Sequence, residues 1–143
     1  MENKYMQTAK EMLLQRENAT CVVLWEERDG NPYISEEKGI RPLMELLAKG
    51  ETFEKAYIAD KVIGKAAAFL AVYGGAAAVY AKIISSAAKE VFKEAGIKCE
   101  YEKEVPYIIN RAGTGRCPME SAVWDEKDPA AAYEILKEKT KIS

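Results

Sequence analysis

Apolar residues recur along the first part of the chain with two different periods. Between residues 4 and 16 they recur at helical spacing, which predicts an amphipathic helix. Residues 20–25 are β-branched and aromatic, which predicts a buried strand, and residues 31–35 predict a returning strand after a turn. Cys21 lies in the first of these strands, where we expect it to pack as a small apolar side chain.

Helices and strands are predicted to alternate through the rest of the chain. They are a helix over residues 42–49, a strand over 56–59, a helix over 61–73, a strand over 76–84, a helix over 87–95, a strand over 97–101 and a last helix from residue 128. Strands separated by helices imply parallel neighbours with right-handed crossovers. The pattern therefore predicts an α/β fold with a five-stranded mixed sheet between helices, in which residues 1–143 form a single domain.

The composition narrows the classes of function. A net charge of -2 argues against a broad nucleic-acid-binding surface. The uncharged stretch at residues 66–81 is too short to span a bilayer, and the N-terminus is polar. We therefore expect a cytoplasmic protein that does not bind membranes.

Histidine is absent, which removes the commonest general base and most zinc chemistry. Cys21, Cys99 and Cys117 are widely spaced and odd in number, which is typical of free thiols in a cytosolic chain. No two of them have the spacing of metal ligands. The sequence predicts neither a metal site nor a cofactor.

Asp60 lies where a short apolar strand gives way to helical spacing. In alternating α/β proteins the carboxyl end of a strand that leads into a helix is the usual place for a site. We expect Asp60 to cap this helix by accepting a hydrogen bond from the N–H of Ile63. Lys61 and Lys65, four residues apart, would then share one helix face near its positive end. Either an anion lies between these two cations, or both lysines are simply solvated.

Arg41 is expected at the start of the preceding helix, next to Pro42. A cation is unfavourable beside the positive end of the helix dipole. The two explanations are an anionic partner and a surface salt bridge.

The most unusual stretch of the sequence is a glycine-rich loop around Thr114. Gly113 and Gly115 flank this residue and permit positive φ angles, so that successive N–H groups are suited to form an anion-binding nest. Arg111 and Arg116 bracket the loop and have the geometry to hold phosphate or carboxylate oxygens. The loop is therefore a candidate anion site.

Cys117 opens the motif Cys-Pro-Met-Glu, which predicts a helix start with Cys117 as the N-cap, Pro118 at the first position and Glu120 three residues on. At a helix N-terminus beside arginines, the pKa of a thiol falls. Cys117 is therefore a candidate nucleophile that needs no histidine. The alternative is a structural cysteine next to a turn.

Four motifs resemble the domain-of-unknown-function family 1893. They are GIRPL at residues 39–43, ADKVIGKAAA at 59–68, VPYIINR at 105–111 and GTGRCPME at 113–120. The resemblance extends from about residue 4 to residue 120. It implies a cytidine-deaminase-like fold, a three-layer α/β/α arrangement, but no particular activity.

The resemblance does not extend to the chemistry of zinc deaminases. Those enzymes carry His/Cys-x-Glu at one helix start and Pro-Cys-x-x-Cys at the next. By element order, residues 39–42 and 60–65 occupy these two positions, and neither holds a set of zinc ligands. We expect instead a zinc-independent pocket at the two helix starts, over which the Cys117 loop closes and which is lined by Arg41, Asp60, Lys61 and Lys65.

Two functions remain open at this point. In the first, an enzyme binds a small anionic ligand such as a nucleotide; Cys117 is the nucleophile, and Asp60 with Lys61 or Lys65 handles protons. The second is a non-catalytic ligand-binding or regulatory domain. Redox sensing by Cys117 is disfavoured because no resolving cysteine lies nearby, and assembly of identical chains is left open. The expected ligand-binding residues are Arg41, Lys65, Arg111, Gly113, Thr114, Gly115 and Arg116.

Overall fold

The chain alternates helices and strands throughout. A computed structural model describes residues 3–28, 31–110 and 112–142. Its elements are α1 (Lys4–Gln15), β1 (Cys21–Trp25), a 3₁₀ turn (Glu26–Arg28), β2 (Tyr33–Ser35), α2 (Arg41–Ala48), β3 (Ala56–Ile63), α3 (Lys65–Gly74), β4 (Ala78–Ser85), α4 (Ser86–Ala95), β5 (Lys98–Val105), α5 (Pro118–Ala122) and α6 (Pro129–Thr140). None of the helices in these described ranges has the length and apolar character needed to cross a bilayer.

The five strands form one open sheet in the order β2-β1-β3-β4-β5. Strand β1 is antiparallel to both β2 and β3, whereas β3, β4 and β5 are mutually parallel. The β1–β2 hairpin supplies one antiparallel pair, and the return of the chain through α2 supplies the β1–β3 pair. The crossover helices α3 and α4 supply the parallel pairs. The predicted α/β class with a five-stranded mixed sheet is confirmed.

Helices cover both faces of the sheet and bury two apolar clusters. On one face α1 places Met6, Ala9 and Leu13 against Tyr57 and Tyr80 of the strands. On the other face α2, α3 and α4 pack on the sheet, and α6 packs on α3. The apolar stripe predicted for the first helix is therefore the surface that contacts the sheet.

Strand β3 is longer than predicted, and this changes the position of Asp60. The strand continues through Asp60 to Ile63, because Val62 and Ile63 pair with β4 and the N–H of Lys61 donates to the carbonyl of Thr20 at 3.0 Å. The next helix begins at Lys65, with Gly64 as its N-cap. The predictions that Asp60 caps a helix and that Lys61 is helical are wrong.

Helices α4 and α6 begin within one residue of their predicted starts. Ser85 caps α4 by accepting a hydrogen bond from the N–H of Ala88 at 3.1 Å. Asp128 caps α6, and Pro129 takes its first position. Strand β5 extends to Val105, four residues beyond the predicted end, because its polar outer half pairs with β4.

Candidate functional site

Three helices start at one edge of the sheet. Strands β3 and β4 lead directly into α3 and α4 there, and β2 is followed by the start of α2. In open α/β sheets ligands bind beyond the carboxyl ends of the parallel strands. A ligand-binding site is therefore expected at this edge.

The carboxylate of Glu120, on α5, is built into this edge. It is 2% exposed and accepts hydrogen bonds from the N–H of Lys65 at 2.7 Å, the hydroxyl of Ser85 at 2.6 Å and the N–H of Ile108 at 2.7 Å. A negative charge is favourable at the positive end of α3. The position where we expected an external anion is thus held by a carboxylate of the chain itself.

Asp60 lies in the sheet interior, 5% exposed, directly opposite Cys21 of β1. Burial raises the pKa of Asp60 to about 8, although hydrogen bonds from the N–H of Val62, the Cys21 thiol and the N–H of Lys61 act in the other direction. Burial, followed by the charge of Asp60, raises the pKa of Cys21 well above its ordinary value. Cys21 is fully buried, as its strand position predicted, and carries a protonated thiol.

The two lysines predicted to face each other lie on opposite faces of the sheet. Lys61 donates to the carbonyl of Glu17 at 2.6 Å, just beyond the end of α1. Lys65 donates to the carbonyl of Trp124, and its ammonium group lies 5.5 Å from the ring centre of Phe69. Because β3 continues past Lys61 and α3 begins only at Lys65, the two lysines belong to different elements and do not share a helix face.

Arg41 forms a surface ion pair. Its Nε lies 2.7 Å from the carboxylate of Glu45, one turn further along α2, and its side chain is 55% exposed. The surface salt bridge, one of the two explanations for a cation at this helix start, is present, and the ligand-binding role expected of Arg41 stays a prediction.

The glycine-rich loop uses its N–H groups internally. The N–H of Gly113 donates to the carbonyl of Asn110, and the N–H of Thr114 donates to the Asn110 side chain at 3.0 Å. The carbonyl of Gly115 accepts from the N–H of Asn110. Gly113 has the positive φ that its position requires, at 72°. The N–H groups of Gly113 and Thr114 are thus already paired within the loop, and the ligand-binding role expected of Gly113, Thr114 and Gly115 stays a prediction. Arg111 lies outside the described residues.

Cys117 is the N-cap of α5 with Pro118 at the first position, as predicted. Its N–H donates to the carbonyl of Ile108 at 2.8 Å, whereas Glu120, expected to complete this cap, reaches across to α3 instead. Helix α5 has only five residues. Within the described residues, no hydrogen bond links the Cys117 thiol to Asp60, Lys61 or Lys65, so its role as a nucleophile stays a prediction.

Trp124 brings together two of the predicted ligand-binding cations. The guanidinium group of Arg116 lies 4.8 Å from the centre of this ring and 4.5 Å from that of Tyr107. The ammonium group of Lys65 lies 6.0 Å from the Trp124 ring. Neither cation forms an ion pair within the part of the chain that the structure describes. Aromatic faces stabilise such cations without neutralising their charge.

Trp124 also borders a groove between α3 and α4, which we name the α3/α4 groove. It has a volume of about 580 Å³. The residues that line it are Lys65, Phe69, Val72, Ala87, Glu90, Val91, Glu94, Ala95, Trp124, Glu126, Lys127 and Pro129. Apolar and aromatic side chains from both helices provide a surface for the body of a ligand, with Lys65 at one end.

A family comparison places the chain among known proteins. A family model described as a domain of unknown function, DUF1893 (TM1506), matches residues 9–140. The chain belongs to this family. The DUF1893 chain is also similar to a solved structure, that of a DUF1893 family protein (TM1506) from Thermotoga maritima, with a TM-score of 0.84 and 24% sequence identity. The likeness covers 97% of this chain and 92% of the other, and at that identity it bears on the fold alone. No curated protein matches the DUF1893 chain in sequence.

A second cavity of the DUF1893 domain is less suited to binding an anionic ligand. A cavity of about 340 Å³ lies at the opposite edge of the sheet, beside Trp25. Its cations are paired, Arg28 with Glu51 and Lys55 with Glu27. Among the described residues, no three cysteine, aspartate or glutamate side chains are grouped so that they could hold a metal ion.

Sequence reasoning missed the roles of Glu120 and Trp124 in this DUF1893 domain. One weak signal pointed to Glu120: neither α3 nor α4 has an acidic residue in its first turn, so both helix starts lack a local carboxylate. Trp124 is half-buried at the rim of the α3/α4 groove. No spacing rule links Trp124 to Lys65, because the two residues meet only through the tertiary fold.

Proposed function

We propose that this DUF1893 chain is a non-catalytic domain that binds a small, planar, anionic ligand of the nucleotide class in the α3/α4 groove. The observation that carries the proposal is the groove itself, with a volume of about 580 Å³ and Trp124 in its wall. Ligand pockets commonly measure roughly 300–1,000 Å³ and combine apolar walls with a few polar groups.

Trp124 supplies a surface for a planar group. Its side chain is half-buried at the groove, whereas Phe69, only 2% exposed, belongs with Val72 and Val91 to the apolar floor. Stacking of a base on an aromatic side chain contributes roughly 1–3 kcal/mol and does not depend on which base is stacked. A planar ring system therefore gains more from this surface than a compact anion such as inorganic phosphate.

Lys65, which lines the groove, would hold the anionic group, and Arg116, which lies against the Trp124 ring but does not line the groove, would add positive charge beside it. Both contact Trp124, and neither has a carboxylate partner within the described residues. The start of α3 is not available to an anion, because Glu120 already accepts from its first N–H. The ligand-binding role predicted for these two cations is therefore retained, with Trp124 added.

The proposal favours binding over catalysis because the predicted catalytic groups are not assembled. Asp60 is buried opposite Cys21, and Lys61 points to the α1 face. No described hydrogen bond or ion pair joins either residue to Cys117. We also propose that the scaffold is deaminase-like but lacks the zinc motifs of deaminases. The order of the strands, and the single sheet edge at which both α2 and α3 start, support this view.

Calorimetric titration with nucleoside monophosphates tests this function. Lys65→Met should weaken binding about tenfold, because a charge-assisted contact is lost while the chain length is kept. Lys61→Met is the matched control, since this lysine lies on the other face of the sheet, and it should leave the affinity unchanged. Ligand binding should also quench tryptophan fluorescence in the unmodified protein but not in Trp124→Phe. Absence of binding at millimolar nucleotide would exclude the proposed function.

A further inference from the structure

The two ends of the α3/α4 groove differ in charge. Helices α3 and α4 each follow one of two parallel strands, so they run in the same direction. Lys65 and Ala87, near the helix starts, mark one end of the groove, and Val72 and Glu94 mark the other. Seven residues of helix separate Lys65 from Val72, a distance of about 10 Å. A ligand with its anionic group at Lys65 therefore extends toward Glu94.

Two carboxylates of α4 line the groove beyond its Lys65 end and are available to a ligand. Glu90 lies one turn beyond Ala87, near the middle of α4, and Glu94 lies one turn further on. Neither forms an ion pair within the described residues, although Lys127 also lines the groove. Glu126 differs, because its carboxylate accepts the N–H groups of Lys127 and Asp128. An ionised carboxylate only accepts hydrogen bonds. The far end of the ligand must therefore present donors.

This inference rests on the proposed function and restricts the class of nucleotide that the groove binds. We infer that the α3/α4 groove selects a nucleoside monophosphate whose base carries adjacent N–H donors on its outer edge, as guanine does. The N1–H and the 2-amino group of guanine can donate together to one carboxylate, in the paired geometry that favours such contacts. Adenine and cytosine offer one amino group each. In uracil, two carbonyl groups flank the single N–H and would face the carboxylates.

The test compares two ligands that differ by one amino group. Inosine monophosphate lacks the 2-amino group of guanosine monophosphate and is otherwise the same. In calorimetric titrations the unmodified protein should bind guanosine monophosphate about tenfold more tightly than inosine monophosphate. Combined Glu90→Gln and Glu94→Gln substitutions should remove this preference. Glu138→Gln, the same change at an exposed position of α6, should preserve it.

The outcomes separate the inference from the proposed function on which it rests. Equal affinities for the two ligands, unchanged by the glutamate substitutions but still lowered by Lys65→Met, would overturn the inference and leave the binding function standing. Absence of binding by both ligands, and by adenosine and uridine monophosphates, would overturn both. A preference that persists in the double variant would overturn the role of Glu90 and Glu94.

Discussion

Asp60 places a carboxyl group in the interior of the sheet, opposite the thiol of Cys21. Burial raises the pKa of this group from its ordinary value of 3.8 to about 8. At a pH between these two pKa values, the folded chain holds a proton on Asp60 that the unfolded chain has released. Folded stability therefore falls as the pH rises from about 4 to about 8, because the unfolded state binds fewer protons there.

Asp60→Asn should remove this pH dependence. The amide has nearly the same shape and does not ionise, so the variant should gain stability over the unmodified protein as the pH rises. The gain should approach about 1.4 kcal/mol per pH unit, the limit for one proton, and should stop growing above a pH of about 8. Urea denaturation at several pH values measures the difference. Curves that stay parallel for the two proteins would contradict the assignment.

Glu120→Gln should destabilise the fold by about 2–3 kcal/mol. Both carboxylate oxygens of Glu120 accept hydrogen bonds, one from Ile108 and the other from Lys65 and Ser85. A glutamine has only one accepting oxygen, so at least one buried donor loses its partner in either orientation of the amide. The loss should appear as a lower urea midpoint.

Glu104→Gln is a control for the effect of removing one negative charge. Glu104 contacts Lys89 and Ser86 on the surface. Exposed ion pairs contribute little to stability, so this variant should lose much less stability than Glu120→Gln. Equal losses would mean that the buried hydrogen bonds of Glu120 are unimportant.

At the scale of the elements, most of the fold could be predicted from periodicity, whereas the boundary between β3 and α3 could not. Asp60 has a strong preference for helix caps, and the residues after it fit a helical pattern as well as a strand. Pairing with β1 and β4 on both sides decides in favour of the strand. These partners are distant in sequence, so no local pattern contains them.

Gly64→Ala should destabilise the junction of β3 and α3 by about 1–3 kcal/mol. A Cβ at this position would lie 2.8 Å from Cγ1 of Ile108 and 3.1 Å from a carboxylate oxygen of Glu120. The φ of Gly64 is −96°, so crowding and not backbone strain is the cause. Thermal unfolding measures the loss.

Two further variants establish whether this crowding causes the loss of stability in Gly64→Ala. Gly115→Ala should be nearly neutral, since the nearest atom, Nδ2 of Asn110, is 4.0 Å from the new Cβ. In an Ile108→Ala background, Gly64→Ala should cost less than in the unmodified protein, because the contact that it strains is gone. Strictly additive effects would argue against the contact.

At the scale of the whole molecule, the anion-binding role expected of Lys65 and Arg116 stays a prediction, and the sequence did not predict the neighbours of these two residues. Lys65 and Arg116 were both expected to bind an anion, and the fold brings them to one tryptophan ring. Asp60, Lys61 and Cys117 were expected to meet, but the strand pairing of β3 directs the first two to different faces of the sheet. Helical spacing relates residues three or four apart, whereas the composite site depends on how the segment after β5 folds back.

The proposed binding function makes a prediction about Cys117. This residue caps α5 through its backbone, and its side chain does not line the α3/α4 groove. Cys117→Ser should therefore change the affinity for guanosine monophosphate by less than about twofold, a difference of under 0.5 kcal/mol. A nucleophile behaves differently, because removal of its thiol abolishes turnover while substrate is still bound. Phosphate and base release from guanosine monophosphate should therefore be followed for both proteins in parallel with calorimetry. Product formed by the unmodified protein and not by Cys117→Ser would identify an enzyme and refute a purely binding role.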